Sequence, residues 1–203
     1  YYCLLAAAGG GMIFLVQANT LMTLFLGLEW FSISLYILCA IDRELAGSLE
    51  AGLKYLIVGG FGSALLLFGS ALVYGATGKL EFHEIAQVVQ QLSLSHDALL
   101  VAGLAFMIAG LGFKLSLVPF HAWTPTAYSG ASTPIAAYLA TVSKVAALAA
   151  LLVVLRAVAA LGTPALVAIA VLAALSMTLG NLMALRQDDV VRLLAWSTVA
   201  QAG

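Results

Sequence analysis

The chain has 203 residues, of which 64% are hydrophobic and 8% charged, with a mean hydropathy of +1.10 and a net charge of −1. An ordinary water-soluble domain is about 45 to 50% apolar and about 25% charged, so this chain has too little polar surface to cover itself in water, and its solvent is lipid. With a near-neutral balance and no basic stripe along any segment, nucleic acid is excluded as a partner.

A helix that crosses the roughly 30 Å hydrocarbon layer needs about 20 apolar residues. Charges and turn formers divide the chain into six and a half such spans. The first runs from about Tyr1 to Val16, beginning inside an apolar run with no initiator Met and no basic n-region, so it is not a signal peptide. A polar break at Gln17, Asn19 and Thr20 leads to the second span, which ends at Ile41 before the charged loop Asp42, Arg43, Glu44. The third covers about Ala51 to Tyr74. In the polar stretch Gly75 to Asp97, Ile85, Val88, Val89 and Leu92 follow the i, i+3, i+4, i+7 spacing of a short amphipathic helix. It is expected to lie on the membrane surface or on neighbouring helices, with His83 and His96 solvated.

The fourth span, Ala98 to Val118, meets Pro119, which removes a backbone donor and clashes with the preceding turn, so the helix must break or kink there. A polar and aromatic stretch, Pro119 to Pro134, precedes a fifth span reaching about Val154. Trp123 and Tyr128 within it fit an interfacial aromatic belt. The sixth span covers Thr163 to Leu185, and beyond the loop Arg186 to Arg192 a seventh has begun. Because the chain also stops in mid-run at Gly203, it reads as an internal piece of a longer protein. Loop cations, three to two, place the Arg43 and Arg186 loops in the cytoplasm.

Of the 17 acidic and basic side chains, all but Glu29, Lys54, Lys114 and Lys144 fall in loops or at span ends. An ionised residue at mid-helix costs about 2.5 to 3.5 kcal/mol, so Glu29, Lys114 and Lys144 together cost on the order of 8 to 10 kcal/mol, comparable to the net stability of a whole domain. Such residues are functional by default and line a hydrated path inside a bundle. Glu29 lies roughly 13 Å into its span at 1.5 Å per residue, near mid-membrane. Ser32 and Tyr36 share its stripe at i+3 and i+7, which could order water and pass a proton. The structural alternative is a protonated glutamate bridging two helices.

Lys114 lies just before the break, with Gly110 and Gly103 clearing space on its face, and Lys144 has Thr141 at i−3. The protonation of a buried lysine answers to nearby charge, which is what a proton relay requires. No acidic residue lies within one turn of either, so snorkelling or a partner on another helix is the alternative. Lys54 has Glu50 at i−4, and an ordinary i, i+4 pair competes with a relay role. His121, at the break, is either a relay or a partner of a freed carbonyl. Cys3 and Cys39 read as small buried hydrophobes, and no spacing suits a metal or an iron–sulfur cluster. Gly9, Gly10, Gly11, Gly59, Gly60 and Gly62 lie inside apolar spans and read as helix-packing glycines, not phosphate loops. No nucleophilic triad, HExxH or nucleotide motif occurs, so no redox or hydrolytic site is expected within the chain.

A broken span beside intramembrane lysines is the architecture of a secondary transporter. The runs GLEWFSISLYIL (Gly27 to Leu38), EAGLKYLIVGGFGSALLLFGSALVYGATG (Glu50 to Gly78) and FKLSLVPFHAWTPTAYSGASTP (Phe113 to Pro134), followed by Ser143 and Lys144, resemble the antiporter-like membrane subunits of respiratory complex I, the NADH-quinone oxidoreductase. The resemblance extends from about Leu21 to Gly203, and HxWTPxxYxG at His121 to Gly130 is most similar to the subunit N branch, called subunit 2 in organelles.

It implies an all-α polytopic transmembrane helix bundle with an antiporter-like fold, inverted five-helix repeats and a discontinuous helix at about 98–130. The single membrane domain 1–203 would hold the first repeat at about 1–160 and the start of the second at 163–203. It also implies a proton-translocating subunit that couples NADH oxidation and quinone reduction to pumping. Glu29, Lys114 and Lys144 would form the relay, with Lys54 and His121 secondary. No cofactor is expected on this chain, while the whole complex would use NADH, FMN, iron–sulfur clusters and quinone. Neighbouring membrane-arm subunits and the lipid bilayer would be its partners. The Ala- and Gly-rich composition suggests a bacterium, and so the bacterial plasma membrane. Thr126 stands where the family commonly has Asp, and the twelfth-span lysine of the family lies beyond the chain. A subunit of an Mrp-type sodium/proton antiporter or of a related membrane-bound hydrogenase, and a purely structural membrane subunit, are the competing readings.

Overall fold

In hydrocarbon no water is available to a backbone N–H or C=O, so a spanning segment must bond its own backbone, which a helix does completely. The computed structural model describes residues 1–159 and 161–203, and its regular elements there are all helical. They are α1 (Tyr2–Val16), α2 (Leu21–Cys39), α3 (Ala46–Thr77), α4 (Phe82–Gln91), α5 (Ala98–Leu115), α6 (Trp123–Gly130), α7 (Thr133–Ala140), α8 (Val142–Ala159), α9 (Thr163–Ala184) and α10 (Val190–Ala202), with a short 3-10 turn at Leu94–His96. Five stretches among the described residues are long and apolar enough to cross a membrane: α2, α3, α5, α7 with α8, and α9. Their outward faces carry large apolar side chains such as Phe61, Ile57, Val145 and Val171, which is the reverse of a water-soluble surface.

Helices in lipid gain little from the hydrophobic effect against each other and instead pack closely at small residues. Along α3 and α5 this brings backbone onto backbone. A Cβ at Gly110 would stand 2.7 Å from the Gly62 carbonyl oxygen, and one at Gly69 would stand 2.6 Å from the Gly103 carbonyl oxygen. In the same way Gly11 of α1 admits the backbone of Phe31, and Gly27 of α2 admits that of Leu15. Gly60 meets nothing within 4 Å, so it is not a packing glycine in this chain.

Several boundaries differ from the sequence-based expectation. The third span is longer, running from Ala46, so that the Glu50–Lys54 pair lies within the helix, to Thr77, where Gly78 ends it in the left-handed conformation. The fourth stops at Leu115, three residues short of Val118, and the fifth is divided at Thr141 (φ −113°, ψ −78°). Helix α4 forms as expected and buries Phe82, Ile85 and Val89 against the bundle, in contact with α8, while Leu92 is exposed. His83 and His96 are exposed, as expected. Thr20 caps α2, and the flanking chain pairs with the start of α4 through Leu21 N–H to the Leu80 carbonyl (2.9 Å) and Phe82 N–H to the Asn19 carbonyl (3.1 Å). Cys39 is buried, but Cys3 is exposed on the outward face of α1. The repeat boundary expected near 160 falls on Ala160, outside the described residues.

Candidate functional site

The site is built at the end of α5. Ser116 adopts the left-handed conformation (φ 63°), and its N–H bonds the Phe113 carbonyl (3.0 Å) while Leu117 N–H bonds the Gly112 carbonyl (2.8 Å). This pair of reversed bonds is the usual way to stop a helix sharply, with Ser standing where Gly is commonest. The turn therefore ends the helix before proline chemistry acts, and the Val118–Pro119 bond beyond it is cis. The chain re-enters helix at Trp123.

A broken helix leaves carbonyls without intrahelical donors, and inside a membrane these must be satisfied. Here side chains do it. The Trp123 indole N–H donates to the Phe113 carbonyl (3.0 Å), and the Lys144 ammonium donates to the Lys114 carbonyl (3.0 Å) and to the Ser116 hydroxyl. Ser116 also pairs with the buried Thr124 hydroxyl. On the far side, Val118 N–H donates to Ser176 Oγ of α9 (2.9 Å). The break is thus tied to α6, α8 and α9 at once.

Lys114 points the other way, into the bundle between α2, α3 and α5, and is 3% exposed. Its Nζ donates to Tyr55 Oη at 3.0 Å and lies 4.7 Å from the Tyr55 ring centroid, 5.0 Å from Phe31, 5.1 Å from Tyr36 and 6.0 Å from Phe113. Desolvated cation–π contacts contribute about 2 kcal/mol, so the rings offset part of the cost of burying an ammonium. The Tyr55 ring stacks on Trp123 (4.5 Å, 9°), and Lys144 Nζ lies 5.1 Å from the Trp123 ring on that residue's side of the stack. Trp123 and Tyr128, expected at a membrane interface, are instead buried in the bundle. The indole finds its partner inside, as a second donor to the Phe113 carbonyl that also accepts from Ser116 N–H.

Glu29 is half-buried on α2 and accepts from Ser63 of α3. It is within Coulombic range of Lys114 but is not its ion-pair partner: among the described residues the ion pairs are Lys54–Glu50 and Lys79–Glu84. Ser32 does not serve the carboxylate either, since its hydroxyl donates back to the Leu28 carbonyl. Lys54 points outward, exposed, and forms the i, i+4 pair with Glu50. His121 packs its ring 5.2 Å from Trp196 of α10, and its Nδ1 makes no hydrogen bond among the described residues, the freed carbonyls being taken by Trp123 and Lys144.

The structure therefore gathers Lys114, Lys144 and, at one remove, Glu29, and leaves Lys54 outside. Tyr55, Ser63, Phe31, Ser116, Thr124 and Ser176 belong to the same constellation and were not singled out by sequence. Tyr55 had one available signal, an amphipathic aromatic one residue beyond an intramembrane lysine. Half-buried Lys144 borders a small, mainly apolar cleft of about 140 Å³ that also touches Thr198 and Gln201 of α10. No group of three or more His, Cys, Asp or Glu suited to a metal occurs among the described residues.

Residues 18–203 match the family described as NADH:quinone oxidoreductase/Mrp antiporter, TM. The chain is 44% identical over 203 residues to NADH-quinone oxidoreductase subunit N 2 of Syntrophobacter fumaroxidans, covering all of this chain and 43% of that protein. It superposes on a chain of respiratory complex I from Thermus thermophilus with a TM-score of 0.85 and 39% identity, covering 99% of this chain and 43% of that one. A second solved structure, the archaeal membrane-bound sulfane sulfur reductase, matches with a TM-score of 0.85 at 32% identity over 98% of this chain and 40% of its counterpart. The chain spans about two fifths of the length of the curated relatives it matches.

Proposed function

The chain belongs to the NADH:quinone oxidoreductase/Mrp antiporter membrane family, and we propose that it forms the proton-carrying part of a subunit N-type protein in a bacterial respiratory complex. In that reading, quinone reduction elsewhere in the complex alters the charge near Glu29. The change reaches Lys114 through space, and a proton passes by way of Lys144 toward the α10 side. Neighbouring membrane-arm subunits are the partners, the plasma membrane is the location, and NADH, FMN, iron–sulfur clusters and quinone belong to the rest of the complex. Residues 1–160 and 163–203 are read as the first inverted repeat and the opening of the second.

The observation that carries the proposal is Lys114: an ammonium buried in the bundle, solvated by a hydroxyl and aromatic rings, with no carboxylate paired to it among the described residues. A lysine kept only to join helices would be expected to pair with an acid or snorkel to the surface. The likeness to a sulfane sulfur reductase chain as well as to complex I supports a relay that works independently of the redox chemistry attached to it.

The test uses the full-length protein in its assembled complex, reconstituted in vesicles. Lys114→Ala is expected to keep assembly and NADH oxidation and to lose proton translocation by about tenfold, a change equivalent to about 1.4 kcal/mol in a barrier. Pumping at the wild-type ratio would remove Lys114 from the relay. Sodium-dependent proton flux in vesicles without NADH would instead favour an antiporter subunit.

A further inference from the structure

In the relay reading Lys114 holds its proton at one moment and releases it at another, inside a site where the side chain is 3% exposed. Whatever solvates its Nζ has to serve both an ammonium, which only donates, and an amine, which can also accept. The aromatic faces around it suit the cation alone. Among the described residues its one hydrogen bond is to Tyr55 Oη. A phenol both donates and accepts.

We propose that the Tyr55 hydroxyl is the partner that accompanies Lys114 through both protonation states, a direct and uncharged participant in the proton transfer. The proposal rests on the relay reading of Lys114. Tyr55 is 1% exposed, and its ring is fixed from two sides. It stacks on Trp123 at 4.5 Å and meets the edge of Tyr36 at 4.7 Å, while Trp123 is itself pinned through its indole N–H to the Phe113 carbonyl. The oxygen is therefore stationary, and only the O–H can turn about the C–O bond. With Lys114 charged, Oη accepts from Nζ. When one proton leaves Nζ for the next carrier, the O–H turns and donates to the bare nitrogen lone pair. Tyr55 keeps its own proton throughout, and the charge change is confined to Lys114 and the acceptor. The other titratable groups in electrostatic reach are Glu29, Tyr36 and Cys39 from α2, Lys144 from α8 and Tyr128 from α6, the last through Tyr55. None of them hydrogen-bonds Nζ in this structure, so none shares the role.

Tyr55→Phe in the full-length protein and assembled complex removes one oxygen and keeps the ring, the stack and the cage. Protons translocated per NADH oxidised are expected to fall by about tenfold, the low end for losing a hydrogen bond to a charged group. Electron transfer from NADH to an artificial acceptor should be unchanged, and the pH profile of pumping should be displaced from that of the wild type. If Tyr55→Phe pumps normally with a superimposable pH profile while Lys114→Ala in the same preparation does not pump, the Tyr55 proposal fails and the relay reading stands. If both variants pump normally, both fall. Should Tyr55→Phe not assemble, 3-fluorotyrosine placed at position 55 nearly keeps the shape while making the hydroxyl a stronger donor and a weaker acceptor. A shifted pH profile then supports the proposal, and an unchanged one overturns it.

Discussion

Lys114 and Lys144 stand on either side of one helix break and are held by different means. Lys114 is enclosed by the rings of Phe31, Tyr36, Tyr55 and Phe113 with a single hydroxyl at 3.0 Å. Lys144 is half-buried and seated on main chain, donating to the carbonyl of Lys114 itself and to Ser116. The first is solvated for the sake of its charge, the second for the sake of the backbone it completes. Two residues of the same type at the same break therefore carry different burdens. Removing Lys144 leaves a carbonyl without its donor, whereas removing Lys114 leaves the backbone intact.

That difference can be broken at several points. The largest effect is expected from Gly110→Leu, because a Cβ there already meets the Gly62 carbonyl oxygen at 2.7 Å and Leu66 Cβ at 2.8 Å, so α3 and α5 must separate and carry Lys114 away from Tyr55. Loss of the assembled complex on a native gel checks this, and normal assembly would show that the interface yields. Lys144→Ala should cost both pumping and stability: an unmet buried acceptor is worth about 1 to 3 kcal/mol, so thermal unfolding of the complex should occur earlier, unlike with Lys114→Ala. Equal melting of the two variants would erase the distinction drawn above. Ser176→Ala removes the acceptor for Val118 N–H from α9 and should lower stability by about 1 to 3 kcal/mol without touching either lysine, which a melting curve with retained proton stoichiometry would verify. The smallest effect belongs to Lys54→Ala. Its pair with Glu50 is exposed, and such pairs contribute little, so pumping and melting should both match the wild type.

What the sequence disclosed followed from what hydropathy can see. Charges that interrupt apolar runs locate the spans, and the expense of Glu29, Lys114 and Lys144 marks them out from the sequence alone. The i, i+3, i+4 rhythm of Ile85 and Val89 was equally legible, because α4 is amphipathic. The break was foreseen through Pro119, but its position was not: Ser116 terminates α5 by adopting a backbone conformation that serine seldom takes, and residue type gives little warning of that. The second interruption, at Thr141, has no proline or glycine to announce it. Trp123 was misplaced for a related reason. Composition assigns tryptophan to an interface, whereas here the Phe113 carbonyl, at a turn that residue type does not announce, supplies an indole partner in the interior. Tyr55 and Ser63 were hidden because their partners are contributed by other helices, Lys114 and Glu29 being 59 and 34 residues away in sequence.

The glycine seam between α3 and α5 has a mechanical consequence. With Gly62 against Gly110 and Gly69 against Gly103, the two helices touch main chain to main chain and have no compressible layer between them. A seam this close joins them as a single keel, with Tyr55 on one half and Lys114 on the other. Any working stroke that changes the surroundings of Lys114 must then be delivered by parts mounted on the keel. These are α2, whose Glu29 is latched to Ser63, and α6, whose Trp123 bears on Tyr55.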